Sequence, residues 1–401
     1  MSTPLQDPSF FRDPYATYAA LRGGAAVQKL PGAGPRGGYV VTGYAEARQA
    51  LADPGLSKDT ARFFAGKATG RDVHPAVSRN MLATDPPDHT RLRRLVTKAF
   101  TPGAVARLRP YVRGVADALL DPWRPGETVD LVAGLAIPLP VTVICQLLGV
   151  PADDRDAVHA WSTDLFAAGD HERTDAASHA LADYMTGLVA AKRRSPDDAL
   201  LSALVAARDG DRGEDGDGDG DRLTEQELVS LAVLLLVAGH ETTTAAIGNA
   251  VLALLRHPDQ LELLRADPGR IEGAVDELLR YDSAVTVATW RWAPEPVRIG
   301  GTEVPAGSPV FVSPGAANRD PARFADADRL DLDRPDARAH LAFGHGIHRC
   351  LGAPLAQAEV ATALRVLLAR FPGLRLAEPA DHLRWRHSRL VHGLEALPVV
   401  L

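Results

Sequence analysis

The residues Phe343-Gly344-His345-Gly346-Ile347-His348-Arg349-Cys350-Leu351-Gly352 put one cysteine at the end of a glycine-rich loop, directly before a helix-forming stretch, 353–370. A helix N-terminus offers unpaired N–H groups and the positive end of its dipole, and both favour a thiolate over a thiol. Gly344 and Gly346 permit the backbone turns that aim those groups, and Gly352 lets a flat ligand lie close to the chain. A thiolate held in this way suits the axial position on a haem iron, where its electron donation favours O–O cleavage. The other cysteine, Cys145, sits in the apolar run 141–148 and reads as a small buried hydrophobe.

A second constellation, Ala238-Gly239-His240-Glu241-Thr242-Thr243, falls inside a long apolar helical pattern. That helix is expected to start at the capping box Thr224-x-x-Glu227 and to run to about Arg256, roughly 48 Å at 1.5 Å per residue. Glycine and clustered threonines are disfavoured in helix interiors. A threonine hydroxyl bonded to the carbonyl four residues back bends a helix. The expected result is a widened groove carrying one hydroxyl and one carboxylate. Dioxygen activation needs such a pair, because the outer oxygen must receive two protons before the O–O bond breaks. Two further pairs stand out. Glu277 and Arg280, at i and i+3, share one helix face, and His89 and Arg93, at i and i+4, point to one side of another.

Taken together, these motifs resemble those of the cytochrome P-450 family. The pattern Phe-x-x-Gly-x-x-x-Cys-x-Gly is similar to its haem-binding loop, and the likeness extends from Asp13-Pro14-Tyr15 through Asn318-Arg319-Asp320-Pro321 to Gly393. The resemblance implies a mainly α, multihelical fold with small β-sheets, with haem b between the long central helix and the helix after the cysteine loop. It implies Cys350 as the metal ligand, and Phe343, Gly344, Gly352 and Ala238 against the cofactor. His89, Arg93, Arg291 and His348 match the family's propionate partners, and Glu241 with Thr242 matches its acid–alcohol pair. Glu277 and Arg280 match a structural ion pair behind the haem, whose third member is Arg329 or Arg334. Ala284 departs from the proline that many relatives carry.

The activity implied is that of a monooxygenase, which inserts one atom of O2 into a hydrophobic small molecule such as a polyketide, macrolide or terpenoid. Its electrons come ultimately from NAD(P)H through a ferredoxin reductase and a ferredoxin. By the same analogy Leu82, Leu235, Val237, Val285, Val287, Ala288, Val391 and His392 line the substrate pocket. Two other readings compete. A peroxide-driven peroxygenase of this family usually has proline after the cysteine and lacks the acid–threonine pair, whereas this chain has Leu351 and Thr242. A non-catalytic haem protein would need no proton-delivery pair.

The elements that must position these groups read as helices between Pro and Gly punctuation: 14–22, 44–52, 88–100, 103–120, 180–193 and 198–207. Strands are few: 39–42, then 297–301 turning into 309–312, and a C-terminal hairpin within 390–400. The 401 residues are expected to form one domain, interrupted by a flexible acidic loop at 209–221. Asp215, Asp217, Asp219 and Gly220 imitate a calcium loop there, but its last ligand position is Gln226 rather than Glu. A net charge of −7 gives no support for nucleic-acid binding. Two cysteines of unlike context fit a reducing compartment, and no uninterrupted apolar run reaches the roughly 20 residues of a membrane span. The expectation is a cytoplasmic protein without a membrane anchor. The acid-free run from His89 to Ala116, with seven Arg and Lys, would suit steering of an acidic electron carrier.

Overall fold

The computed structural model describes residues 5, 7–30, 37–67, 70–166, 169–209, 222–388 and 390–401. The calcium-like spacing at Asp215, Asp217, Asp219 and Gly220 lies outside the described residues. The chain divides into two compact units, each discontinuous in sequence. The first comprises Met1–Ser57, Leu108–Leu139 and Thr242–Leu401, and the second Lys58–Arg107 and Pro140–Glu241.

The first unit holds the sheets. In the largest, Val27–Leu30 pairs antiparallel with Gly38–Val41, which pairs parallel with Pro309–Val312, which in turn pairs antiparallel with Arg291–Trp292. This sheet departs from expectation. Val297–Ile299 turns at Gly300 and Gly301 to pair with Thr302–Val304 instead, leaving Pro309–Val312 for the larger sheet. The predicted C-terminal hairpin is also replaced. Pro398–Val400 pairs with Thr128–Asp130 and Arg375–Leu376, while Val391 and Leu394 make single bridges to Val285 and Trp385. Pairing between distant segments leaves no local signal. The four-stranded sheet backs onto the helix Tyr44–Ala52 through a core of Val41, Ala47, Leu51, Val310 and Val312. The helices Ile271–Tyr281 and Ala353–Arg370 pack on each other in the same unit.

The second unit is helical. His171–Arg194 packs against Arg155–Leu165 and Leu200–Asp209, burying Ala177, Leu181, Met185, Leu188 and Val189 at helical spacing. Asp88–Thr97, whose buried face is His89, Leu92 and Val96, belongs to this unit too. So does Pro138–Leu148 from residue 140 on, with Cys145 fully buried and its thiol pushed up to about 11 by burial. That is the inert environment expected of it.

The long helix is continuous from Glu225 to Arg256, and the boundary between the units falls within it, at Glu241/Thr242. Its capping box forms as expected: the Thr224 N–H donates to Glu227 Oε2 at 2.8 Å, and the Glu227 N–H to Thr224 Oγ1 at 3.1 Å. By length and composition this helix could cross a membrane, but 78% of its most apolar stretch is buried, as in the core helix of a folded protein. Gly239 has a packing reason. A Cβ there would lie 2.7 Å from Ile144 Cγ1, so only glycine lets the helix Pro138–Leu148 approach this closely.

Candidate functional site

Cys350 is held by its own loop. Its N–H donates to the Phe343 carbonyl at 2.8 Å, and the Gly344 N–H donates to the Leu341 carbonyl at 2.8 Å. Gly344 and Gly346 have φ of +72° and +74°, the left-handed region where side chains are strained. Gly346 is doubly constrained, since a Cβ would sit 2.8 Å from Leu51 O and 2.9 Å from Ala52 Cα. The loop is therefore pressed against the end of the helix Tyr44–Ala52. A Cβ on Gly352 would lie 4.0 Å from Cys350 Sγ, on the side the sulfur occupies. Gly352 is also the N-cap of the helix Ala353–Arg370 and makes no side-chain cap. The sulfur thus precedes a helix N-terminus directly. Cys350 is exposed, unusual for a cysteine outside a disulfide and fitting for a ligand atom.

The middle of the long helix shows a matching opening. Around it Val237, His240, Glu241, Thr243, Thr244, Ala245 and Ala246 are buried, whereas Ala238 is exposed and Thr242 partly so. Four residues apart, Ala238 and Thr242 share one face. Of the three consecutive threonines, Thr242 is partly exposed, whereas Thr243 and Thr244 are buried.

Each unit also gathers cations. In the second, His89 is 2% exposed beside Lys58 and Arg93. Burial, then the charges of Arg93 and Lys58, hold its imidazole below the ordinary histidine range, against the pull of Asp85. Two cations and one imidazole thus gather around a single acid, and two of the three basic groups are buried. Lys58, 4% exposed with its N–H on Asp85 Oδ1 at 2.9 Å, is a member that sequence reasoning misses. No motif marks it, since only packing buries it. In the first unit Arg291 is 4% exposed on its strand, with Nη1 3.3 Å from Thr289 O and Nη2 3.5 Å from Leu51 O. His348 ends the one-turn helix Gly346–His348 of the cysteine loop.

The comparisons with known proteins agree with this geometry. The family model described as Cytochrome P450 matches residues 156–274 and 270–374. The chain belongs to the cytochrome P450 family. It is 45% identical to "Vitamin D(3) 25-hydroxylase" of Pseudonocardia autotrophica over 98% of this chain and 95% of that protein. Identity is 42% to "6-deoxyerythronolide B hydroxylase" of Saccharopolyspora erythraea, over 99% of this chain and 98% of the relative. Among solved structures, the tirandamycin C-bound P450 monooxygenase TamI superposes with a TM-score of 0.89 at 45% identity, covering 98% of this chain and 99% of the other. This P450 is a monooxygenase, and its family implies thiolate-ligated haem and O2. The donor set fits that cofactor: an exposed thiol before a helix N-terminus, buried cations suited to propionates, and a small-residue opening on the long helix.

The ion pair behind the loop is resolved. Arg280 and Glu277 are both fully buried, with Nε to Oε2 at 2.6 Å and Nη2 to Oε1 at 2.8 Å. Their third member is Arg334, whose Nε lies 3.2 Å from Glu277 Oε1, while Arg329 contributes only its carbonyl. The expected pocket residues differ in what they pack against. Val287 lies in a core cluster with Phe10, Tyr18 and Val40. Val391 is fully buried against Val285. His392 stacks on Trp385 at 4.1 Å and lies 3.4 Å from Asp282, which accounts for its burial. Leu82, Val285 and Ala288 stay partly exposed, and Leu235 and Val237 are each 8% exposed.

Beside the cysteine loop lies a recess of about 730 Å³ lined by Arg48, Arg109, Arg323, Arg338 and Arg349. Two acids, Glu272 and Asp276, face them. The acid-free run is not one continuous face. Arg91 pairs with Glu227 and Arg113 with Asp117, while Arg94, Lys98 and Arg107 are exposed.

Proposed function

We propose that this P450 hydroxylates a large, mostly apolar polyketide or macrolactone, with electrons delivered by an acidic ferredoxin that a ferredoxin reductase recharges from NAD(P)H. Cys350 would hold the iron through its thiolate, and His89, Arg93, Arg291 and His348, joined by Lys58, would bind the propionates. The bound cofactor supplies reductive activation of O2 and the oxygen atom transferred. What the chain adds is position and protons. Thr242 Oγ1 offers a hydrogen bond on the open face of the helix, and Glu241, one residue earlier, supplies protons toward it. The names 6-deoxyerythronolide B and tirandamycin C, borne by relatives matched over nearly the whole chain, support the substrate class. A vitamin D3 hydroxylase of similar identity keeps a terpenoid-like substrate as a second reading. Apolar side chains at Leu82, Leu235, Val237, Val285 and Ala288 suit either. The arginine-lined recess beside the cysteine loop supports the acidic partner.

The observation that carries this reading is the partial exposure of Thr242 on a helix face where its neighbours Thr243 and Thr244 are buried. Thr242→Ala is expected to keep fold, haem content and substrate binding, and still to consume O2 and reducing equivalents. Product per electron should fall and hydrogen peroxide should rise, because the hydroxyl that positions the second proton is gone. Thr243→Ser serves as control. Equal coupling in wild type and Thr242→Ala would remove the role. The substrate class is tested by titrating the ferric protein with macrolactones, other polyketides and vitamin D3. A saturable Soret shift with vitamin D3 alone would replace the polyketide by the terpenoid.

A further inference from the structure

Glu241 keeps unusual company within the second unit. His240 Nε2 lies 3.6 Å from its Oε1, and His159 Nδ1, from the helix Arg155–Leu165, lies 4.0 Å from the same oxygen. The three ligand atoms lie within 4.8 Å of one another. His240 is 0% exposed and Glu241 1%, whereas the His159 side chain is 25% exposed.

The tautomer of His240 follows from its backbone contact. Its Nδ1 is 2.8 Å from the Leu236 carbonyl, which can only accept, so Nδ1 carries a proton. In its neutral form the ring turns the Nε2 lone pair toward a carboxylate oxygen, and among the described residues that buried Nε2 has no hydrogen-bond partner. At 3.6 Å the two atoms are too far apart for a good hydrogen bond between them. Two electron-rich atoms facing each other in a buried place repel unless a cation lies between them.

We propose that His159, His240 and Glu241 form a binding site for a divalent transition-metal ion of the zinc type, separate from the haem iron. Two imidazoles and one carboxylate, with a fourth position left for water, make a recurrent zinc donor set. Donors at roughly 2.0–2.2 Å from a tetrahedral ion lie about 3.3–3.6 Å apart, so the cluster needs to contract by only a few tenths of an ångström for two of its pairs. The outer contacts are of the kind that orient metal ligands: His240 Nδ1–H on the Leu236 carbonyl, and Thr163 Oγ1–H on Glu241 Oε1 at 3.0 Å. The partly exposed His159 provides access. If Glu241 delivers protons, as in the reading above, a bound ion occupies that carboxylate and slows turnover, so metal supply would regulate the enzyme. The site itself does not depend on that role.

Calorimetric titration of chelator-washed holoenzyme with Zn2+ tests the site. Wild type should bind one ion per chain at this site, and zinc should raise its melting temperature. His159→Gln, at a partly exposed position, should fold and retain haem but bind at least tenfold more weakly. Thr163→Val should weaken binding by about 10- to 100-fold, as loss of an outer-shell contact does. The absence of saturable binding would overturn the site and leave His240 and Glu241 as an imidazolium–carboxylate pair. Unchanged affinity in His159→Gln would overturn it as well, placing the ion elsewhere. Binding lost in His159→Gln, with product per electron unaffected by zinc in wild type, would support the site and instead remove Glu241 from proton delivery.

Discussion

Two buried glutamates on helices, Glu277 and Glu241, show how differently one side chain can be used. Glu277 accepts from Arg280 twice, from Arg334 and from the Asp331 N–H, all between 2.6 and 3.2 Å. Arg280 is equally engaged, because its remaining N–H groups reach the carbonyls of Asn318, Ala327 and Arg329. All five guanidinium donors are in use. Such a network has one low-energy arrangement, and it ties the helix Ile271–Tyr281 to the segments around Asn318, Ala327 and Arg329. Glu241 instead accepts from Thr163 at 3.0 Å and faces two imidazoles at 3.6 and 4.0 Å. Those imidazoles stand too far away to lock it through a hydrogen bond. A buried carboxylate held by four donors, two of them from one guanidinium fork, is scaffolding, whereas one set beside two imidazoles can exchange a proton or take an ion.

The contrast is broken most forcefully at Glu277. Glu277→Ala leaves Arg280 and Arg334 with uncompensated charge, and breaking a buried pair costs about 3–5 kcal/mol. Denaturant unfolding should show that loss, with haem retention falling alongside. Arg280→Lys keeps the charge but not the planar fork, and should cost about 1.5–3 kcal/mol from lost charge-assisted hydrogen bonds. At Glu241 the pattern should invert. Glu241→Gln keeps shape and burial, so unfolding should shift by under about 1 kcal/mol, the scale of an ordinary hydrogen bond, while product per electron drops. Comparable destabilisation in Glu277→Ala and Glu241→Gln would erase the distinction between the two sites.

A third buried glutamate sharpens the comparison with the smallest effect. Glu359, 1% exposed in the helix Ala353–Arg370, has an Oε2 without a hydrogen-bond partner among the described residues. Burial raises its carboxyl well above the usual 4.5, so it is held protonated. The folded chain therefore keeps this proton more tightly than the unfolded chain. Its contribution to stability is fullest below about the ordinary 4.5 and declines as pH rises from there toward the folded-state value. Glu359→Gln should leave acid stability nearly unchanged and flatten that decline in thermal melts run across pH. A slope equal to wild type would show that the carboxyl is not neutral in the fold.

Much of the site is legible in the sequence because its chemistry is local. Thr224 and Glu227 cap the long helix through contacts three residues apart, and Gly344 and Gly346 adopt the positive φ that their spacing suggests. At Gly239 the close neighbour Ile144 lies 95 positions away in sequence and is visible only in space. The packing of Val287 with Tyr18 and of Val391 with Val285 is likewise a matter of partners far away in the chain. For the same reason, sequence cannot choose between Arg329 and Arg334, since both reach the same carboxylate region and only one turns its guanidinium inward.

The sequence by itself determined the loop that bears Cys350, the helix it precedes, the acid and alcohol at Glu241 and Thr242, and through them the family. These depend on backbone conformations and on spacings of a few residues, which composition and order impose directly. Tertiary structure alone decided the burial of Lys58 beside His89, the approach of Ile144 to Gly239, and the meeting of His159 with His240 and Glu241. Each of these joins segments distant in sequence. The free energy that brings them together comes from burying apolar surface, which is proportional to area and blind to which polar groups end up as neighbours.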